Sequence, residues 1–208
     1  MENTRTNKIK IFEIAVHLFA EKGYAKVSMR EIADAVGIKA ASIYNHYAGK
    51  EALLDSIFKF FKEQLTTKVY PSFQLSENTT PREFLENTIQ ATDAIFTSPI
   101  MMEISRIILK EQFLNEKIRT LLLIELIQKP REYFAGYFQQ LMERGLMRRL
   151  DPVLIAKEYH SYFIYRFYEN CLTPEGSVQE FANMMEEQEA HVNLFLEHFC
   201  ITKDFDAS

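Results

Sequence analysis

The chain has 208 residues, 47% of them hydrophobic, with 24 Lys+Arg against 29 Asp+Glu and a formal net charge of −5. That apolar share supports a buried core and excludes wholesale disorder, while six Gly and six Pro are too few for a sandwich or barrel that turns every ten residues. Taken whole, the acidic balance argues against a nucleic-acid partner, because phosphate binding is mainly attraction to cations.

Ile9, Phe12, Val16 and Phe19 recur at +3, +4 and +3 and predict an N-terminal helix. It stops at Gly23, since glycine takes the left-handed conformation cheaply. Ser28 followed by Glu31 is a capping box that opens a short helix over about 28–35. Gly37 interrupts, and a third short helix spans about 39–47. After Gly49 a longer helix begins at Lys50, carries Leu54, Phe58, Phe61 and Leu65 on one stripe, and ends before Pro71. Residues 71–80 form a polar loop.

Thr80-Pro81, Ser98-Pro99 and Asp151-Pro152 then each pair a capping residue with a proline at the first helical position, and Ser177 with Glu180 is a further capping box. Between these starts the periodicity predicts helices over about 81–96, 99–112, 115–144, 152–170 and 177–199. Pro130 should kink or split the one over 115–144 at about Gln128. The expected fold is all-α with about nine helices.

Cys171 and Cys200 form no CxxC pair, so a reducing compartment is expected. The N-terminus has no apolar signal-like run, and the longest apolar run, 121–124, is far below the ~20 residues that cross a bilayer. The expectation is a soluble, cytoplasmic protein.

The spacing Ala33, Gly37, Ile38 is that of a helix-turn-helix. A small residue faces the crossing helix, glycine makes the turn, and an apolar residue plugs the angle. The second helix of such a unit enters a DNA major groove. With Ile43 and Tyr47 turned inward, Ala40, Ala41, Ser42, Tyr44, Asn45 and His46 face outward. On spacing alone, an ordinary helical hairpin with a glycine cap fits equally well. The chemistry separates the two readings, because the outward residues are small or hydrogen-bonding and small residues allow close approach to base edges. Ser28 beside free backbone N–H groups is a phosphate site, and Lys50 is placed to reach another phosphate. Charge agrees: the first 50 residues hold 8 Lys+Arg and 5 Asp+Glu, and the remainder holds 16 and 24.

The run Ser28-Met-Arg-Glu-Ile-Ala-Asp-Ala-Val-Gly-Ile38, then Ser42-Ile-Tyr44-Asn-His46-Tyr47 and Lys50-Glu-Ala-Leu-Leu54, resembles the DNA-binding domain of the tetracycline-repressor (TetR) family. Ala15, Leu18-Phe19 and Gly23-Tyr24 match it too, so the resemblance covers about residues 8–54. Gly145-Leu-Met-Arg148 before Asp151-Pro152 is similar to the family's link into its last two helices. The resemblance implies a homodimeric repressor with an N-terminal DNA-binding domain, 1–49, and a C-terminal ligand-binding and dimerisation domain, 50–208. It also implies DNA contacts from Ser28, Arg30, Ser42, Tyr44, His46 and Lys50, with Tyr44 and Lys50 mainly on phosphates. The family commonly opens the recognition helix with Ser or Thr where this chain has Lys39. That change loses an N-cap worth ~1 kcal/mol and offers another phosphate contact.

Ten aromatics lie within residues 133–168. The segment 152–168 is apolar or aromatic nearly all round, so it must be covered on more than one side. Phe181, Met185, Gln188, Val192, Phe195 and Phe199 form a heptad-like stripe. Two such helices from each of two subunits would build a four-helix interface, with His160, Phe163, Phe167, Phe181, Met185, Val192, Phe195 and Phe199 as its candidates. Met101, Met102, Tyr133, Tyr137, Tyr162 and Tyr165 are either core or the wall of an apolar pocket with polar handles. Arg166 suits an anionic group, or a carboxylate within the bundle. His191 and His198 stand two helical turns apart, too far for one tetrahedral ion without help. No phosphate loop, nucleophile elbow or HExxH is present, so neither a cofactor nor an enzyme is expected.

These readings combine into a repressor that leaves a pseudo-palindromic operator when a small apolar or aromatic ligand binds, with the helix over about 50–69 as the lever. Two competing readings are an all-α small-molecule-binding protein or enzyme with a purely structural helix-turn-helix, and a ligand-independent DNA-binding regulator.

Overall fold

The computed structural model describes residues 2–73, 79–173 and 179–201, with the side chains of 2–6 and 179–185 left undescribed. Part of the 71–80 loop and the Ser177 capping box lie outside the described residues. Ten α-helices are described: α1 (Glu2–Lys22), α2 (Met29–Val36), α3 (Ala40–Ile43), α4 (Lys50–Gln64), α5 (Pro81–Phe96), α6 (Pro99–Glu111), α7 (Glu116–Leu121), α8 (Lys129–Glu143), α9 (Pro152–Leu172) and α10 (Gln179–Phe199). Taking α7 and α8 as the one interrupted helix over 115–144 brings the count to nine. Among the described residues there is no strand, only an isolated bridge between Met147 and Cys200. Neither cysteine is in a disulfide, and no described helix is long and apolar enough to cross a membrane.

Two compact units divide the chain, one of Met1–Gln64 with Thr97–Leu122, the other of Leu65–Phe96 with Leu123–Ser208. In the first unit α1 buries Ile11, Ala15, Val16 and Phe19 against α2, α4 and α6. α6 contributes Met101, Ile104, Ile107 and Ile108 to that core. In this division α6 and α7 fall with the N-terminal helices.

The second unit is built on α8 against α9, with α10 against α5. Its core is aromatic: Phe84, Phe134, Tyr137, Phe138 and Tyr159 are all buried. Asp151 caps α9 by accepting from the Val153 N–H at 2.9 Å. Pro130 acts as expected on the helix over 115–144, which widens into a π-helical segment over Leu122–Gln128 just before it. Proline has no N–H to return to the carbonyl four residues back, and a locally wider coil accommodates the loss.

Candidate functional site

The helix-turn-helix is assembled by three local devices. Ser28 caps α2, its Oγ accepting from the Glu31 N–H at 3.2 Å, which leaves Met29, Ile32 and Ala33 facing the core. Gly37 ends α2 in the left-handed region at φ 79, and the Ile38 N–H reaches back to Ala33 O at 3.0 Å. This six-to-one bond, with Gly37 N–H on Asp34 O at 3.1 Å, is a Schellman stop. α3 follows and buries Ile43, with Tyr47 buried behind it. It is shorter than the 39–47 helix expected: after Ile43 the chain closes Asn45 N–H on Ser42 O and His46 N–H on Ile43 O, three-residue turns that tighten the end. Lys39 is the N-cap and makes no side-chain cap bond, as its side chain, a donor, offers no acceptor for the free N–H groups.

The face left outward carries Lys39, Ala40, Tyr44 and Asn45 as exposed residues and Ser42 and His46 as half-buried ones. Tyr44 is 55% exposed, a large ring that its own fold does not cover. Ser28 and Arg30 are exposed at the start of α2, Arg30 pairing loosely with Asp34 at 4.0 Å. Lys50 behaves differently from the reading that aimed it at phosphate. Its ammonium donates to the carbonyls of Tyr24 at 2.8 Å and Val27 at 2.9 Å and lies over the Tyr24 ring, so it ties the loop between α1 and α2.

Further ties in the same unit were invisible in the sequence because their partners lie 60 or more positions apart. Lys110 of α6 donates to the Ala20 and Glu21 carbonyls at the end of α1, where a cation suits the negative end of the helix dipole. The Glu111 carboxylate accepts from the Tyr24 N–H at 3.1 Å, and Lys117 bridges Glu51 at 2.7 Å and Asp55 at 3.1 Å on α4.

In the second unit a cavity of about 50 Å³ is enclosed by α5, α8, α9 and the segments at 65–73 and 122–128. That is room for a few waters. Its wall is mainly apolar, with Phe73, Ile89, Leu126, Phe134, Phe163 and Phe167, and its polar members include Asp93, Tyr162, His160 and Arg166. Of the seven residues read as a pocket, Tyr162 and Arg166 line it. Met101 is buried in the first unit on α6, with Met102 beside it. Tyr137 is buried with its ring against Phe84, the centroids 3.6 Å apart; Tyr133 packs on Tyr70 and Phe73. Tyr165 is exposed, its hydroxyl donating to Glu169 at 2.9 Å. Aromatic type alone does not say which side of an all-round apolar helix a ring takes.

The residues read as a subunit interface divide in a similar way. His160, Phe167, Val192 and Phe195 are buried within the single chain, Val192 to 1% and Phe195 to 4%. They are thus spent on the chain's own core, and His160 lines the cavity. Phe163 and Phe199 are half-buried; Phe181 and Met185 have side chains outside the described residues. Among the described side chains, the large apolar residues that α9 and α10 expose are Val153, Leu154, Tyr165, Leu172 and Leu194.

Electrostatics mark the cavity's polar end. Burial, with the nearby Arg131 charge, lowers His160 to about 4, so its ring is neutral at ordinary pH. Burial alone does the same to His191, which stacks on Tyr162 with centroids 4.0 Å apart. Burial raises the Asp93 carboxyl above its ordinary range, with Arg166 opposing. His198 is elsewhere on α10, bonded to Leu194 O at 2.9 Å, and no cluster of metal-ligating residues occurs among the described residues. Asp93, missed in the sequence, had a readable signal: Ile89, Asp93 and Phe96 fall at +4 and +3, an acid on an apolar stripe.

A capped α2, a left-handed glycine turn and a short α3 with a small, hydrogen-bonding outer face form a helix-turn-helix, the unit whose second helix can enter a DNA major groove. Residues 11–57 match the family described as bacterial regulatory proteins, tetR family. The transcriptional repressor KstR2 of Rhodococcus jostii is 28% identical over 153 residues, 72% of each chain. Among solved structures, the ketosteroid transcriptional regulator KstR2 of Mycobacterium tuberculosis superposes with a TM-score of 0.67 at 19% identity, over 93% of this chain and 95% of that one. AibR in complex with isovaleryl coenzyme A and operator DNA superposes with a TM-score of 0.64 at 22% identity, over 91% and 96%. Residues 11–57 thus match the DNA-binding domain of that family, and the relative and the solved structures matched over most of the chain are transcriptional regulators.

Proposed function

We propose that the protein is a cytoplasmic homodimeric repressor that binds a pseudo-palindromic operator through α3 and is released from it by a small apolar or aromatic ligand held in the second unit. The observation that carries this reading is the outer face of α3, where Ala40, Tyr44 and Asn45 are exposed among the described residues. In this reading residues 1–49 read DNA and residues 50–208 hold the effector and the second subunit. Two copies of α3 sit about one helical turn apart, ~34 Å, to enter successive major grooves.

The ligand is a proposal by analogy with AibR, which has been solved with isovaleryl coenzyme A and with operator DNA, and it is supported by the cavity and its polar end. A ligand that binds better to a conformation with different α3 spacing draws the population away from the operator-bound state, and operator DNA then weakens the ligand by the same factor.

Fluorescence anisotropy with DNA from upstream of the protein's own gene tests the reading. Binding is expected to fall steeply with salt: about six phosphate contacts per dimer give a log–log slope near −5. Asn45→Ala should relax sequence preference, whereas Lys39→Ala should weaken specific and random DNA alike. Salt-insensitive binding, or none, overturns the reading.

A further inference from the structure

The cavity in the second unit contains one cation that its own surroundings leave short of hydrogen bonds. Arg166 is 7% exposed, and its Nη2 donates no hydrogen bond to any described residue. Its acidic neighbours stand off, Asp93 at 3.8 Å and Glu187 at 3.9 Å. Asp93 is already committed to the Gln188 amide, and the Glu187 side chain is 61% exposed to solvent. The other wall carboxylate, Glu125, accepts from Lys129 at 2.8 Å and from the Tyr70 hydroxyl at 3.0 Å. The acids of this region are therefore satisfied and Arg166 is not.

A second unpartnered donor lies beside it. The Tyr162 hydroxyl has no hydrogen-bond partner among the described residues, and the Arg166 guanidinium carbon is 5.9 Å from the Tyr162 ring centroid. His191 stacks on the Tyr162 ring itself and holds it in place. Burial pushes the Tyr162 hydroxyl up to about 12, so it keeps its proton and can donate. A buried guanidinium beside a half-buried tyrosine whose hydroxyl is covered is a pair of donors suited to an anionic acceptor, and charge-assisted bonds of this kind are the strong ones. Phe73, Phe134, Phe163 and Phe167 offer ring faces and edges on the same wall, which carries no Lys and no second Arg.

We propose that the effector is a hydrophobic carboxylic acid, bound as its carboxylate with the head group on Arg166 and Tyr162 and the apolar body among the phenylalanines. This rests on the regulator reading above and specifies its ligand. The carboxylate displaces the distant Asp93 as the acceptor facing the fork, and the cavity widens from its present size to admit the body.

Isothermal titration calorimetry of the full chain with 3-phenylpropionate, 3-phenylpropionamide and 3-phenylpropylamine, which share one skeleton, tests the proposal. The carboxylate is expected to bind at least about tenfold tighter than the amide. Asp93→Asn removes the competing acid and should tighten the carboxylate further. The double variant Arg166→Met with Asp93→Asn removes the pair without leaving one charge buried alone; it should weaken the carboxylate far more than the amide and so erase the carboxylate preference. Equal binding of acid and amide, preference for the amine, a preference that survives the double variant, or no binding of any of the three overturns it. The same samples report on the regulator reading separately. Salt-sensitive binding to upstream DNA without acid preference sinks the ligand class alone, and absent DNA binding sinks the regulator reading whatever the cavity holds.

Discussion

Pro130 withholds from the Leu126 carbonyl the N–H that an α-helix would return to it, and His160 of α9 lines the same cavity as Leu126. Because burial holds this ring near 4 against an ordinary value near 6.5, the unfolded chain binds the proton more readily than the folded one. Stability from this group is full above about pH 6.5 and is lost as pH falls toward 4, by up to roughly 3 kcal/mol. Thermal melts at pH 7.5 and pH 5.0 check this: the wild type should lose more stability on acidification than His160→Gln. In the sequence His160 reads as an interface residue, whereas its burial comes from a wall that includes Leu126, 34 positions away. Lys50 makes the same point. A cation at the start of a helix reads as a phosphate ligand, and only the loop folded beneath it supplies the carbonyls of Tyr24 and Val27 that take its protons.

Elements were read more faithfully than their partners. The cap at Ser28, the stop at Gly37 and the prolines at 81, 99 and 152 are local devices, and the structure places helix starts or ends at each. Gly37→Ala probes one of them. A Cβ there would meet nothing within 4 Å, so the cost is conformational alone, about 1–2 kcal/mol for a side chain at positive φ; urea denaturation should show that loss with an unchanged m-value. Stripe assignment fared less well. The strongest apolar stripe of α10, through Val192 and Phe195, faces its own core, because a helix that buries one face spends its best hydrophobes at home first. The face left for a partner is poorer in large apolar groups and reads weakly in a periodic pattern.

For the whole molecule, the proposed dimer uses that poorer face. Leu154, Ser161, Tyr165 and Leu172 fall on one stripe of α9, all exposed, and Leu194, 58% exposed, lies on α10. Two-fold symmetry counts each substitution twice. Leu194→Glu removes an apolar side chain worth about 1.5–3 kcal/mol when buried, so the dimer should weaken by two or more orders of magnitude. Analytical ultracentrifugation should find a monomer where the wild type is a dimer, with far-ultraviolet circular dichroism unchanged; an unchanged dimer would move the interface elsewhere. DNA affinity should fall with it, since a single α3 reads only half a site.

By itself the sequence determined the all-helical class, most helix boundaries, the helix-turn-helix and the basic N-terminal charge, all of which follow from spacing, caps and composition within a few turns of chain. The tertiary structure decided which aromatic rings line a cavity and which fill the core, that α6 packs with the N-terminal helices, and that Arg166 is buried without hydrogen bonds enough for its charge. The physical reason is range. Capping, glycine turns and periodicity act between residues three to five apart. Burial, ion-pair distance and the choice of side on an apolar helix depend on residues brought together from 60 or 100 positions away.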